Sequence, residues 1–220
     1  MDERSTGLSG YGSLRKCNRQ WEYDGLHQQL QTHYPTSTRL WSLGSSFHNG
    51  NNSRIMNIFI LDYDVKKCAE YHVDKHVVKM ILETAQLLCG VHWVSGGNAP
   101  YKLSHKNHPC AIWARESLTN YLYLCELGLE LSREYTYRYG KKHKSQEIIE
   151  WCIDNKPNIV DKGFTEPAKA MPDEYKVKSV VESYRNYYLG AKSGFASWKN
   201  RETPEWYNNK NNYEYANVSI

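Results

Sequence analysis

The sequence predicts a mostly α-helical fold, a single compact domain of about four helices with a short extended start and long loops. Apolar residues recur at helical spacing through two long stretches, recognisable caps and stops bracket them, and strand signals are scarce. No internal repeat is visible. Composition changes near residue 55: residues 1–55 are rich in Ser, Gly, Asn, Gln and His, too polar to offset the entropy of ordering, and read as a disordered or non-native extension. Residues 56–207 form the expected helical catalytic domain, and residues 208–220 a flexible tail.

The domain opens with Met56 and the compact apolar run NIFIL, read as a short strand or a buried extended start. Asp64 is a suitable N-cap for a helix beginning at Val65 and running to about Cys89, bent near Asp74, with Gly90 as its stop. Turn residues mark the loop SGGNAPYKLSHKNH. Pro109 then suits the first turn of a second long helix, capped by Asn107 or His108 and ending near Tyr139 before Gly140. Ser145 opens a shorter helix through Cys152, and a connection punctuated by Pro157, Pro167 and Pro172 follows. Ser179 and Glu182 have capping-box spacing ahead of the last helix, VVESYRNYYLG.

Composition narrows the function classes. Six of the 28 Lys/Arg and four of the 24 Asp/Glu precede Met56, which leaves the domain and tail a formal charge of only +2. A polyanion must therefore be held by local patches such as RYGKKHK and KSGFASWKNR, each of which also reads as an ordinary solvated face. The six cysteines are separated singletons without a CxxC pair, which argues against a disulfide framework or zinc knuckle and for a reducing, intracellular setting, the cytoplasm of the host or producing cell. No run of 18 apolar residues suggests a membrane span, and no signal-peptide pattern occurs. The 18 Tyr and 7 Trp against 4 Phe favour aromatics with a polar edge, suited to wet, base-stacking surfaces.

The most informative residues are His72, His76, Lys79 and Glu83. On one continuous helix they fall within an arc of roughly 60°, beside an apolar stripe of Val73, Val77, Met80, Thr84 and Leu88. Three readings stand. The histidines at i and i+4 could chelate a metal with Glu83, His105 or His108 as a further ligand, although HExxH is absent. Lys79 or Lys75 with Glu83 could run Schiff-base chemistry on an electrophilic sugar carbon. Or the row is a helix edge with a solvated Lys79–Glu83 pair. A second cluster, His105, Lys106, Asn107 and His108 ahead of Pro109, resembles a phosphate seat at a helix start, with Arg115 and Asn120 following. A third places Tyr135, Tyr137 and Tyr139 beside Lys141 and Lys142. The last helix adds Tyr184, Arg185, Tyr187 and Tyr188, with Lys192, Trp198 and Arg201 beyond.

From Met56 onward the chain resembles the phage-type pyrimidine-dimer DNA glycosylases (endonuclease V of the phage kind). The likeness rests on a short start leading to a mid-helix His72, on Gln86 late in that helix, on Asn107-His108-Pro109 before a long helix, and on the aromatic Trp206-Tyr207 near the end. The resemblance implies a metal-free, cofactor-free DNA repair enzyme. It breaks the glycosidic bond of a damaged pyrimidine with an amine and a helix carboxylate, then cleaves the strand by elimination. Glu83 would be that carboxylate. The family's nucleophile is the α-amine of a processed N-terminus; here 55 residues precede Met56, so either translation starts at Met56, or Lys75 or Lys79 supplies the amine, or the activity differs.

The leading expectation is thus an N-glycosylase with AP-lyase activity on damaged or modified pyrimidines. Its catalytic set is Glu83, Lys79, Lys75, His72 and His76, the histidines holding the site and assisting proton transfer. DNA would be gripped by His105, Lys106, Asn107, His108, Arg115, Tyr139, Lys141, Lys142, Arg185, Lys192 and Trp198. DNA is the expected partner, with no membrane and no obligate protein partner. The alternatives are a metal-dependent nuclease or phosphohydrolase using the His/Glu cluster, and a non-catalytic module that stacks on single strands.

Overall fold

The computed structural model describes residues 56–209, and the expectations for residues 1–55 and for the tail past Asn209 fall outside the described residues. The described residues are helical, with no strand: α1 (Val65–Tyr71), α2 (Asp74–Val94), α3 (Pro109–Glu116), α4 (Leu118–Tyr139), α5 (Gln146–Asp154), α6 (Val180–Leu189) and α7 (Glu205–Asn208). Short 3₁₀ turns lie at Asp173–Tyr175 and Ser193–Phe195. The mostly α class is as expected, but the helices are more numerous because both long stretches are broken.

The first break, at His72 and Val73, has a physical cause. Both residues are extended (ψ 134° and 154°), so the carbonyls at the end of α1 lose their helical partners. Arg138, fully buried on α4, takes them. Its guanidinium donates to the carbonyls of Glu70 and His72 (2.9 Å each), to Asp74 Oδ1 (2.9 Å) and to Glu134 Oε1 (2.6 Å). Arg201 closes the network on Glu134 and Glu70. The second break, at Ser117, is filled by Asp161. Its carboxylate accepts from Ser117 Oγ (2.8 Å) and from the backbone N–H and hydroxyl of Thr119 (3.1 and 2.7 Å), capping α4 from the Pro-rich connection.

Several caps are as read. Asp64 accepts from the N–H groups of Lys66 and Lys67, His108 Nδ1 from that of Cys110, and Ser179 from that of Glu182, while Gly140 ends α4 at φ 68°. Gly90 does not stop α2. It is buried in the packed side, and the helix ends five residues later at Ser95, where Gly96 at φ 85° and the Gly97 N–H on His92 O (2.9 Å) form a Schellman closure. Asn208, assigned to the tail, belongs to α7.

The central pair is α2 and α4, with α3 and α5 packed against both and α1 on α4. Close approach at the α2–α4–α5 junction depends on Gly128, where a Cβ would lie 2.8 Å from Thr84 Cγ2 and 2.9 Å from Ile149 Cδ1. By length and composition α2 could cross a membrane, but 61 % of that stretch is buried inside the protein, as in a core helix. Cys68, Cys89, Cys110, Cys125 and Cys152 are free and buried, filling the role of small apolar residues. Residues 56–61 form no strand but a buried extended thread, kinked at Phe59, whose φ of 52° is a left-handed conformation that a bulky residue rarely adopts. Its ring is held by stacking on His76 (centroids 4.3 Å) and edge contacts with Tyr184 and Tyr188.

Candidate active site

The row of four becomes a row of three. His72 caps α1 and lies fully inside the core, its Nδ1–H donating to Cys68 O (2.7 Å) and its Nε2 without a partner. Burial holds its pKa down at about 4, so it is a neutral core residue and lines no groove. His76 is also buried, and its pKa falls to about 2 through burial first, then the charges of His72, Lys192 and Lys79. Its Nδ1 pairs with Tyr188 Oη at 2.6 Å. A histidine so neutral holds position and hydrogen-bonds; it is not poised to shuttle protons near neutral pH.

Lys79 and Glu83 remain where helix periodicity puts them. Lys79 Nζ is 2.9 Å from Glu83 Oε1; the lysine side chain is 56 % exposed and the glutamate side chain 9 %. Glu83 Oε2 accepts the backbone N–H of Asn57 at 3.0 Å. One carboxylate therefore bridges an ammonium open to solvent and the buried thread. The first turn of α3 reaches the same region, because the Glu83 charge adds to burial in raising the Cys110 thiol to about 12. The pair's cationic surroundings come from Lys75, whose Nζ lies 5.0 Å from the Phe195 ring centre, and Lys192, 4.5 Å from that of Tyr187. These lysines, with Phe195 also packed on His76, form a basic, aromatic-backed face beside Glu83.

The second cluster is partly engaged internally. His105 adopts φ 51° and its carbonyl accepts from His108 N (2.9 Å), while Arg115 Nη1 donates to Lys106 O at 2.6 Å. His108 spends Nδ1 on the cap, and its pKa is lowered by burial and by the charge of His105. His105, Lys106 and Asn107 remain exposed, as a phosphate seat requires.

The third set is dispersed into the packing. Arg185 is a clamp: Nε donates to Leu61 O (3.0 Å), Nη2 meets Asp62 (3.4 Å), and the guanidinium lies over the rings of Tyr71 and Trp206. Trp198 donates to Tyr71 O (2.9 Å), and Tyr139 reaches Asp74 O (3.4 Å) beneath Lys199. Lys142 pairs with Glu147 and Glu150; Lys141 is exposed. Of the expected grip, Lys192 alone has a described contact on the Lys75/Lys79 face. Among the described residues no group of three His, Cys, Asp or Glu side chains is placed to hold a metal ion.

Sequence reasoning missed Asn57, and it named Tyr188 only among the aromatics of the last helix and not as the partner of His76. A backbone N–H carries no residue-type signal, and Tyr188 meets His76 across 112 positions. Arg138 was discoverable from its i,i+4 spacing to Glu134. No protein family, curated protein or solved structure matches the chain.

Proposed function

We propose that the protein is a DNA-processing N-glycosylase with AP-lyase activity on damaged or modified pyrimidines, with Lys79 and Glu83 as its reacting pair. The observation that carries this reading is the geometry of Glu83, a nearly buried carboxylate held by the Asn57 N–H and in direct contact with an accessible amine. Lys79 gives up its proton to solvent, and its free amine attacks C1′ of the deoxyribose as the bond from C1′ to the base breaks, Glu83 staying ionised. The base leaves with the bonding pair and takes up a proton from solvent. Glu83 stabilises the positive charge that develops at the sugar. Ring opening moves a proton to O4′ and leaves an imine between Nζ and C1′; loss of a C2′ proton then expels the 3′-phosphate. Lys75, Lys192 and the exposed His105–Asn107 segment hold the backbone through charge and hydrogen bonding.

Borohydride reduction in the presence of abasic and pyrimidine-dimer duplexes should trap a covalent protein–DNA adduct. Lys79→Ala should abolish it, and Glu83→Gln should slow its formation by about a hundredfold or more. Absence of an adduct on both substrates would remove the lyase claim. If the adduct survives loss of both Lys75 and Lys79, the amine is another group. The Asn57 nitrogen, on the same carboxylate, is then the one to test, in a chain that begins at that residue. A binding-only reading is favoured by the neutral, buried histidines, and it would stand if Glu83→Gln binds DNA normally and no strand is cut by the native chain.

A further inference from the structure

Among the described residues, Tyr63, Tyr123, Phe164 and Glu166 line an open hollow of about 570 Å³. Phe164 is the shared side. Tyr63 stands against it at 84° with centroids 6.3 Å apart, and Tyr123 at 59° and 5.0 Å. Tyr63 and Phe164 are 51 % and 43 % exposed, a large aromatic area for a protein to leave in water. Among the described residues Glu166 has no ion-pair or hydrogen-bond partner; its charge, second to burial, raises the Tyr63 hydroxyl pKa, which places the carboxylate beside that ring. Burial first, and then nearby negative charge that includes Asp62 and Asp64, also raises the Tyr123 hydroxyl pKa.

The walls are built and braced. Trp113 packs edge-on against both Phe164 (6.0 Å) and Tyr123 (6.2 Å) and donates its Nε1–H to Thr165 O at 3.1 Å. Thr165, between Phe164 and Glu166, is pinned again by Asn120, which accepts from its N–H (2.9 Å) and donates to its hydroxyl (2.7 Å). Asp161 accepts the N–H of Gly163 at 3.0 Å on the other flank. Exposed rings are therefore fixed in place before any ligand arrives, which removes much of the ordering cost of binding.

We propose that this hollow is a binding site for an alkylated ammonium group, as on choline or a methylated lysine. Ring faces attract a cation through their quadrupole, a carboxylate supplies the counter-charge, and methyl groups fill the apolar space between the rings. The site is separate from the Lys79–Glu83 pair in residues and in the sign of its charge.

Calorimetric titration of the full chain at constant ionic strength tests this with three probes: tetramethylammonium, choline, and the neutral isostere 3,3-dimethylbutan-1-ol. The cations should bind about tenfold or more tightly than the neutral alcohol. Glu166→Gln, an exposed change that leaves the brace intact, should weaken the cations about three- to tenfold and leave the alcohol unaffected. Phe164→Ala should lose both, and Phe164→Trp should keep the cations. A trimethyl-lysine peptide in a fourth arm, binding at least tenfold tighter than choline, would identify a protein side chain as the source; equal affinity identifies a free amine. Equal affinity for the cations and the neutral alcohol, or no binding of tetramethylammonium to the folded chain, would overturn the proposal.

Discussion

His72 and His76 look alike in sequence, where their spacing suggests a pair of proton-handling groups. Each is instead kept neutral by burial, one on a carbonyl and one on a phenol. That makes them determinants of stability with a defined pH sign. The unfolded chain takes up a proton on each histidine below about pH 6.5, while the folded values are about 4 and about 2. Their stabilising effect is complete above the unfolded value and declines as pH falls toward the folded ones, at up to about 1.4 kcal/mol per pH unit per histidine. His92, His108 and His143 are shifted in the same direction by burial and add to the slope. Urea unfolding at pH 7.5, 6 and 5 should show progressive loss, with a shallower slope in His72→Gln. A flat profile would contradict the burial of these rings. The signal for this outcome was present in the sequence only as aromatic company, Phe59 and Tyr188, too distant along the chain to be recognised as neighbours.

At the scale of elements, local chemistry was readable and tertiary substitution was not. Asp64, His108, Ser179 and Gly140 were readable as caps because the partners of each lie within four residues of it along the chain. The breaks at His72 and Ser117 depend on Arg138 and Asp161, which arrive from elsewhere and satisfy the backbone groups that the helix gives up. No periodicity in the broken stretches announces them. Arg138→Met should therefore cost about 3–5 kcal/mol, since it strands buried carbonyls and part of the charge on Glu134 and Asp74. Thermal or denaturant unfolding measures it, and a loss below about 1 kcal/mol would mean the network is replaceable. Gly128→Ala should destabilise by about 1–3 kcal/mol despite its better helix propensity, because Thr84 is β-branched and cannot turn aside. Adding Ile149→Val should recover part of the loss.

For the whole molecule, the mostly helical class and the Lys79–Glu83 spacing were legible, whereas the assembly of the basic face was legible only in part. Lys75 and Lys79 follow from helix geometry; Lys192 joins them through the turn after α6, and the basic patch around Lys141 and Lys142 has no described contact with that face. If the Lys75/Lys79/Lys192 face carries DNA, replacing all three with alanine should flatten the dependence of log K on log salt by about 2.7 for duplex DNA. Lys141→Ala with Lys142→Ala should change it much less. Fluorescence anisotropy across a salt series reads both, and the reverse ranking would move the interface to the far end of α4.

The amide of Asn57 gives a direct view of the pair it supports. Its proton points at Glu83 Oε2, so its nuclear resonance follows the ionisation of that oxygen without a label on the carboxylate itself. Acidification or removal of Lys79 would shift that single peak, turning an anchoring contact into a built-in spectroscopic gauge of the acid.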